Sequence, residues 1–186
     1  MSDFVPFPQV PHLVLLGDVA IRDDKVLSAS DRERLLDRPL IVEEKVDGQN
    51  LGLSVVGGRL RAQARGDYVE LGGRAFGGLA AWLAARGDLI SKALGERYVL
   101  FGEWCTDVHS VEYGALPDWF IMFDVFDRRE GGYLTSELRD LFAATVGLAV
   151  VPRLGQGVFT LDELVGFIRE SAFGAPVIEG IVVRQE

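Results

Sequence analysis

Lysine is scarce in this chain: of 19 basic residues only Lys25, Lys45 and Lys92 are lysines, and the rest are arginine. Basic charge as a whole is also short, since 28 Asp and Glu leave a formal net charge of −9. Phosphate neutralisation by Lys and Arg supplies most of the affinity of a general nucleic-acid binder, so strong indiscriminate binding of that kind is disfavoured. Cysteine is limited to Cys105, which excludes an intrachain disulfide and a thiolate metal cluster and reads as a small buried apolar residue. His12 and His109 with that one cysteine make no transition-metal site. No apolar run approaches the ~20 residues that span a bilayer. Residues 1–9 lack the basic start and apolar core of a signal peptide, so the expected location is cytoplasmic and no membrane partner is expected.

What is present suits one domain. At 186 residues the chain is long enough to bury roughly 70% of the surface that its unfolded form exposes. The first 29 residues read as an irregular segment pinned by Phe4 and Phe7, with a short strand near His12 to Leu16. Ser30-Asp31-Arg32-Glu33 fits a capping box for a short helix that Pro39 stops. Arg59 to Arg65 alternates as a strand after the Gly57-Gly58 turn. Phe76, Leu79, Trp82, Leu83 and Ile90 have helical spacing across 75–94, interrupted near Gly87. Thr135 or Ser136 caps a helix to about Val146, Thr160-Leu161-Asp162-Glu163 caps another to about Ser171, and a last strand covers Pro176 to Arg184. The expectation is an α+β fold of antiparallel sheets with peripheral helices.

Chemistry concentrates at Glu43-Glu44-Lys45-Val46-Asp47-Gly48-Gln49-Asn50. Pro39 to Val42 reads as a strand entering and Leu51 to Val56 as the strand leaving, a hairpin whose Asp47-Gly48 turn brings backbone amides close to a phosphate. A lysine at a strand end beside carboxylates is where an amine nucleophile would sit. K-x-D-G alone is short enough to arise by chance as a surface turn. Its company makes it informative: Phe101-Gly102-Glu103, Phe123-Asp124 and Glu179-Gly180-Ile181-Val182 follow in order, each an apolar strand with a carboxylate at or near one end.

That series resembles the covalent nucleotidyltransferase superfamily of ATP-dependent RNA and DNA ligases and messenger-RNA capping enzymes. Glu44 before the lysine, Asn50 five residues after it and Arg65 twenty after it are most similar to the phage-type and RNA-editing group of nick-sealing RNA ligases. The resemblance spans residues 39 to 184 and implies a nucleotidyltransferase (ATP-grasp-like ligase) fold. It implies ATP with Mg²⁺ or Mn²⁺ as cofactors and RNA or nicked duplex ends as partner. Lys45 would carry AMP as a phosphoramidate, and Phe123 would stack on adenine. Asn50 and Arg65 would contact ribose and phosphate oxygens. Glu103 would contact the ribose or the metal, Glu179 would help hold the metal, and backbone near Glu44 would read the adenine edge.

One part of the superfamily pattern is missing. A fifth motif with strand lysines that bind the α-phosphate should follow the fourth, yet no lysine follows Lys92. The expectation is therefore a single adenylyltransferase domain over 1–186, truncated before that motif and completed by a C-terminal module or a repair partner in trans. A capping-type guanylyltransferase and a catalytically incomplete nucleotide-binding module are the alternatives that the sequence leaves open.

Overall fold

The computed structural model describes residues 3–16, 26–71 and 76–186. The elements run α1 (Ala29–Leu36), β1 (Leu40–Lys45), β2 (Gln49–Val56), β3 (Arg59–Gln63), α2 (Leu79–Leu94), β4 (Tyr98–Trp104) and β5 (Phe120–Asp127). They continue as β6 (Gly132–Tyr133), α3 (Ser136–Val146), β7 (Ala149–Val150), β8 (Arg153–Gly157), α4 (Leu161–Val165) and β9 (Gly180–Arg184). All strand pairs are antiparallel except β5 with β7. The α+β expectation is met. Among the described residues no helix is long and apolar enough to cross a membrane.

The expected β1–β2 hairpin is not formed. β1 lies between β8 and β9 in a three-stranded sheet, while β2 joins a larger sheet in the order β3-β2-β4-β5-β6. Val46 to Gly48 therefore carries the chain from one sheet to the other. The reason lies in the side chains of β1, which are apolar or buried on both faces and need cover on each side. Leu40 and Val42 pack with Leu35, Leu36, Leu164, Ile181 and Val183 beneath the small sheet. By strand alternation Ile41, Glu43 and Lys45 point the other way, toward the large sheet.

The main core lies between the large sheet and two helices. Leu51, Leu53 and Val55 from β2, Leu100 and Trp104 from β4, and Phe120, Met122 and Val125 from β5 meet Trp82, Ile90 and Leu94 of α2 and Ala143 and Val146 of α3. Each such side chain contributes roughly 1.5–3 kcal/mol of burial free energy. α2 runs unbroken through Gly87, where an added Cβ would come within 3.2 Å of Leu60 Cδ2. The glycine permits close approach of helix to sheet and is not a break. Ala75, the expected helix start, lies outside the described residues.

Other local expectations need adjustment. Ser28, not Ser30, caps α1, accepting from the Asp31 amide at 3.1 Å. The Thr160 and Glu163 capping box forms as expected, but its helix ends at Val165 because residues 166–179 turn back beneath β1. β9 starts at Gly180, not Pro176, and the strand near His12 reduces to a single bridge with Val26.

Candidate nucleotidyl-transfer site

Lys45 ends β1 directly opposite Gly180, and its side chain lies over that glycine, with Cδ 3.8 Å from where a Cβ would be. The lysine is 45% exposed and its ammonium is ion-paired with Glu179. The neighbouring turn is fastened from both ends. The Asp47 amide donates to Tyr113 Oη at 2.7 Å, and its carboxylate accepts from Ser110 Oγ at 2.7 Å and the Val111 amide at 3.0 Å. Burial opposes ionisation of Asp47, but the Ser110 and Val111 hydrogen bonds outweigh it and hold the carboxyl below its ordinary value.

Gly48 has a packing role. A Cβ there would sit 2.9 Å from Cys105 Sγ and from the Trp104 carbonyl, so only glycine lets the crossover press against the end of β4. Gly102 acts similarly: an added Cβ would strike the Phe120 ring and come within 2.6 Å of the Ile121 carbonyl.

Glu103 lies opposite Asn50 in the β2–β4 ladder. Burial pushes its carboxyl up to about 8, with Lys45 and Arg65 pulling it back and Glu179 and Asp47 pushing it further. Charges on five residues from four separate stretches of chain thus converge on one spot. Arg65 is exposed just beyond β3. Two acids beside one lysine fit a hard divalent cation, because Mg²⁺ keeps several waters and takes one or two protein carboxylates plus substrate phosphates. Among the described residues no three His, Cys, Asp or Glu side chains are grouped to hold a metal by themselves.

Phe123 sits at a β-bulge. The register passes from Phe101 opposite Asp124 to Gly102 opposite Met122, which leaves Phe123 without a partner in β4. Its half-buried ring packs against the small cluster of Val46, Ile121, Val151 and Phe173. Phe7 of the N-terminal segment meets it edge-on, with ring centroids 4.9 Å apart. Its carbonyl accepts from Arg139 Nη1 at 2.9 Å and Arg184 Nη2 at 3.3 Å.

Glu44 is the expected site residue whose side chain is directed elsewhere. It is buried on the opposite face of β1, where its carboxylate accepts from Ser171 Oγ at 2.6 Å and the Ala172 amide at 3.3 Å. Its amide donates to the Pro152 carbonyl at 2.9 Å. Glu43 is buried as well, but among cations: Arg139 Nη2 lies 2.6 Å and Arg184 Nη2 3.0 Å from its carboxylate. Arg184 also pairs with Asp124 at 2.8 Å. Burial raises Asp124 from its ordinary value while Arg184 pulls it back.

Arg139, Tyr113, Ser110 and Ser171 escaped the sequence reading. Cys105, expected to be buried, is only partly so; desolvation still pushes its thiol up to about 12. A cleft of about 620 Å³ lies against the same 105–118 loop, lined by Gly78, Arg86, Cys105, Tyr113, Asp118 and Trp119; it does not contain the Lys45 cluster.

Solved structures share this fold. A point mutant of Naegleria gruberi RNA ligase with ATP and Mn superposes with a TM-score of 0.68 at 16% identity, covering 100% of this chain and 54% of that one. The same organism's RNA ligase with PPi gives a TM-score of 0.64 at 15% identity, covering 100% of this chain and 53% of that one. A second mutant with ATP and Mn gives a TM-score of 0.62 at 18% identity, covering 82% and 47% respectively. The chain thus spans about half the length of these relatives. No curated protein matches the sequence significantly. The RNA ligase family model matches residues 38–186, which hold every strand and side chain of the cluster around Lys45, and the chain belongs to that family.

Proposed function

We propose that residues 1–186 form the adenylyltransferase unit of an ATP-dependent RNA ligase. The observation that carries this reading is the convergence of Lys45, Glu103, Glu179, Asp47 and Arg65 at the crossover between two sheets. In this reading the amine of Lys45 attacks the α-phosphorus of ATP, a N–P bond forms, and the bond to pyrophosphate breaks. The AMP then passes to the 5′-phosphate of an RNA end, and a 3′-hydroxyl attacks that activated end and releases AMP. Solved relatives with ATP and Mn and with PPi support the nucleotide and the leaving group.

Lys45 must first lose a proton, and its ammonium is ion-paired with Glu179. Glu179 is the acceptor in contact with Nζ. Glu103 and Glu179 would hold a Mg²⁺ or Mn²⁺ ion, whose charge would neutralise the phosphates and weaken the hold of Glu179 on the ammonium. Asn50 and Arg65 bind sugar and phosphate oxygens, a neutral amide and a forked cation suited to that task. Phe123 stacks on adenine. Intact mass after incubation with ATP and Mg²⁺ tests the reading: a covalent AMP that is absent from Lys45→Ala supports it, and reversible binding alone leaves a non-catalytic module.

A further inference from the structure

A buried side chain of α3 bridges the two sheets at the site, beside Arg184 of β9, which also reaches the Phe123 carbonyl and Asp124 from the small sheet. Arg139 of α3 and Glu43 of β1 are each 1% exposed. Through Nη1 the arginine donates to the Phe123 carbonyl at 2.9 Å, in the large sheet. Through Nη2 it donates to Glu43 Oε1 at 2.6 Å, in the small sheet and two residues before Lys45. Strand alternation puts Glu43 and Lys45 on the same face of β1. The guanidinium is planar and its nitrogens have fixed relative positions, so it sets a distance between Phe123 and the Lys45 strand.

An arginine is an expensive way to fill this position. A buried ion pair often contributes no more stability than well-packed apolar residues of the same volume. The bulge sharpens the point, because Phe123 has no ladder partner in β4 to orient it and its carbonyl is met by two guanidinium groups instead.

We infer that Arg139 is a positioning residue for nucleotide binding, holding the Phe123 ring in register with Lys45 across the gap between the sheets. The inference rests on the reading that Phe123 stacks on the base. It predicts that Arg139 acts through Phe123 and has little influence on affinity once that ring is gone.

The test is a double-mutant cycle in the Lys45→Ala protein, where ATP binds without reacting, read by calorimetry with Mg²⁺ present. Phe123→Leu is expected to weaken ATP binding about tenfold, within the usual worth of one base stacked on an aromatic ring. Arg139→Lys keeps a positive charge beside Glu43 but loses the fork, and is expected to weaken binding by a similar factor. The double variant should bind within about threefold of Phe123→Leu alone, whereas independent effects would multiply to about a hundredfold. Multiplication, or an Arg139→Lys protein that binds normally, overturns the positioning role. Should thermal melting show that Arg139→Lys does not fold, the pair Glu43→Gln with Arg139→Gln takes its place in the cycle and is judged by the same ratios. Absence of ATP binding by the Lys45→Ala protein itself would bring down the functional reading, and the positioning role with it.

Discussion

The acids near Lys45 fall into two groups that are held in opposite ways: those of β1 are buried among partners, and those that reach the lysine from other strands are not. In β1, Glu43 and Glu44 are buried and held, Glu43 by ion pairs to Arg139 and Arg184 although its Oε2 accepts no hydrogen bond, Glu44 by Ser171 and the Ala172 amide. In β4, Glu103 has no such partner among the described residues, and burial with neighbouring acids pushes it up to about 8. Glu179, at the mouth of β9, is partly exposed and, among the described residues, is ion-paired only with Lys45. Glutamates near the lysine are thus not equivalent: the two before it on β1 are buried among partners, whereas Glu179 faces Lys45 itself, and the proposed function draws on the second group.

Breaking the second group should abolish chemistry without unfolding the protein. The largest effect is expected from Lys45→Ala, which removes the proposed nucleophile from a half-exposed strand end and should eliminate the AMP adduct in intact mass while leaving the melting temperature near that of the parent. Lys45→Arg should fail equally, because guanidinium stays protonated above pH 12. Glu179→Gln should slow adduct formation by about 10²–10³ if its charge acts in the transition state, with stability changed by less than ~1 kcal/mol, as for an exposed pair. Breaking the first group should first cost stability. Glu43→Ala leaves two arginines facing a buried gap and should cost about 3–5 kcal/mol in denaturant unfolding.

The glycine at the crossover separates packing from chemistry once more. Gly48→Ala should destabilise by about 1–3 kcal/mol, since its Cβ would sit 2.9 Å from the Trp104 carbonyl, which is backbone and cannot rotate away. A variant as stable as the parent would mean that the crossover does not press on β4 as described.

Much of this arrangement was legible in the sequence. The order of Lys45, Glu103, Phe123 and Glu179 along the chain, three of them at or near a strand terminus and Phe123 within β5, announced the family and most of the cluster. The split between the sheets was not, because both partners of β1 lie more than a hundred residues downstream and pairing at that range leaves no local trace. Arg139 was hidden for a different reason. Hydrophobic periodicity turns Leu138 and Leu141 of α3 inward, yet they are 52% and 62% exposed, and Ser136, Arg139, Ala143 and Val146 form the buried stripe. A polar network overrode the apolar pattern, and only the acids waiting on β1 and β5 explain why.

The smallest effect is expected at the far end of β5, where Asp127 offers an acid remote from the site. Its carboxylate is gripped by the Arg97 side chain, with Nε 2.9 Å from Oδ2, and accepts from the Arg129 amide at 2.9 Å in the turn that follows. Arg97 chiefly, helped by the Arg129 and Glu130 amides against the effect of burial, holds its carboxyl down to about 2, against an ordinary 3.8. A carboxyl depressed by folding stabilises the fold above the unfolded value and ceases to do so once it is protonated in both states. The contribution of Asp127 is therefore complete above pH 4 and fades as pH falls toward 2. Asp127→Asn should lower stability modestly at neutral pH, flatten the acid limb of the stability profile between pH 4 and 2, and leave the rate of Lys45 adduct formation unchanged. A changed adduct rate would mean that the acids of the large sheet act together and that the division between holding and reacting carboxylates is drawn in the wrong place.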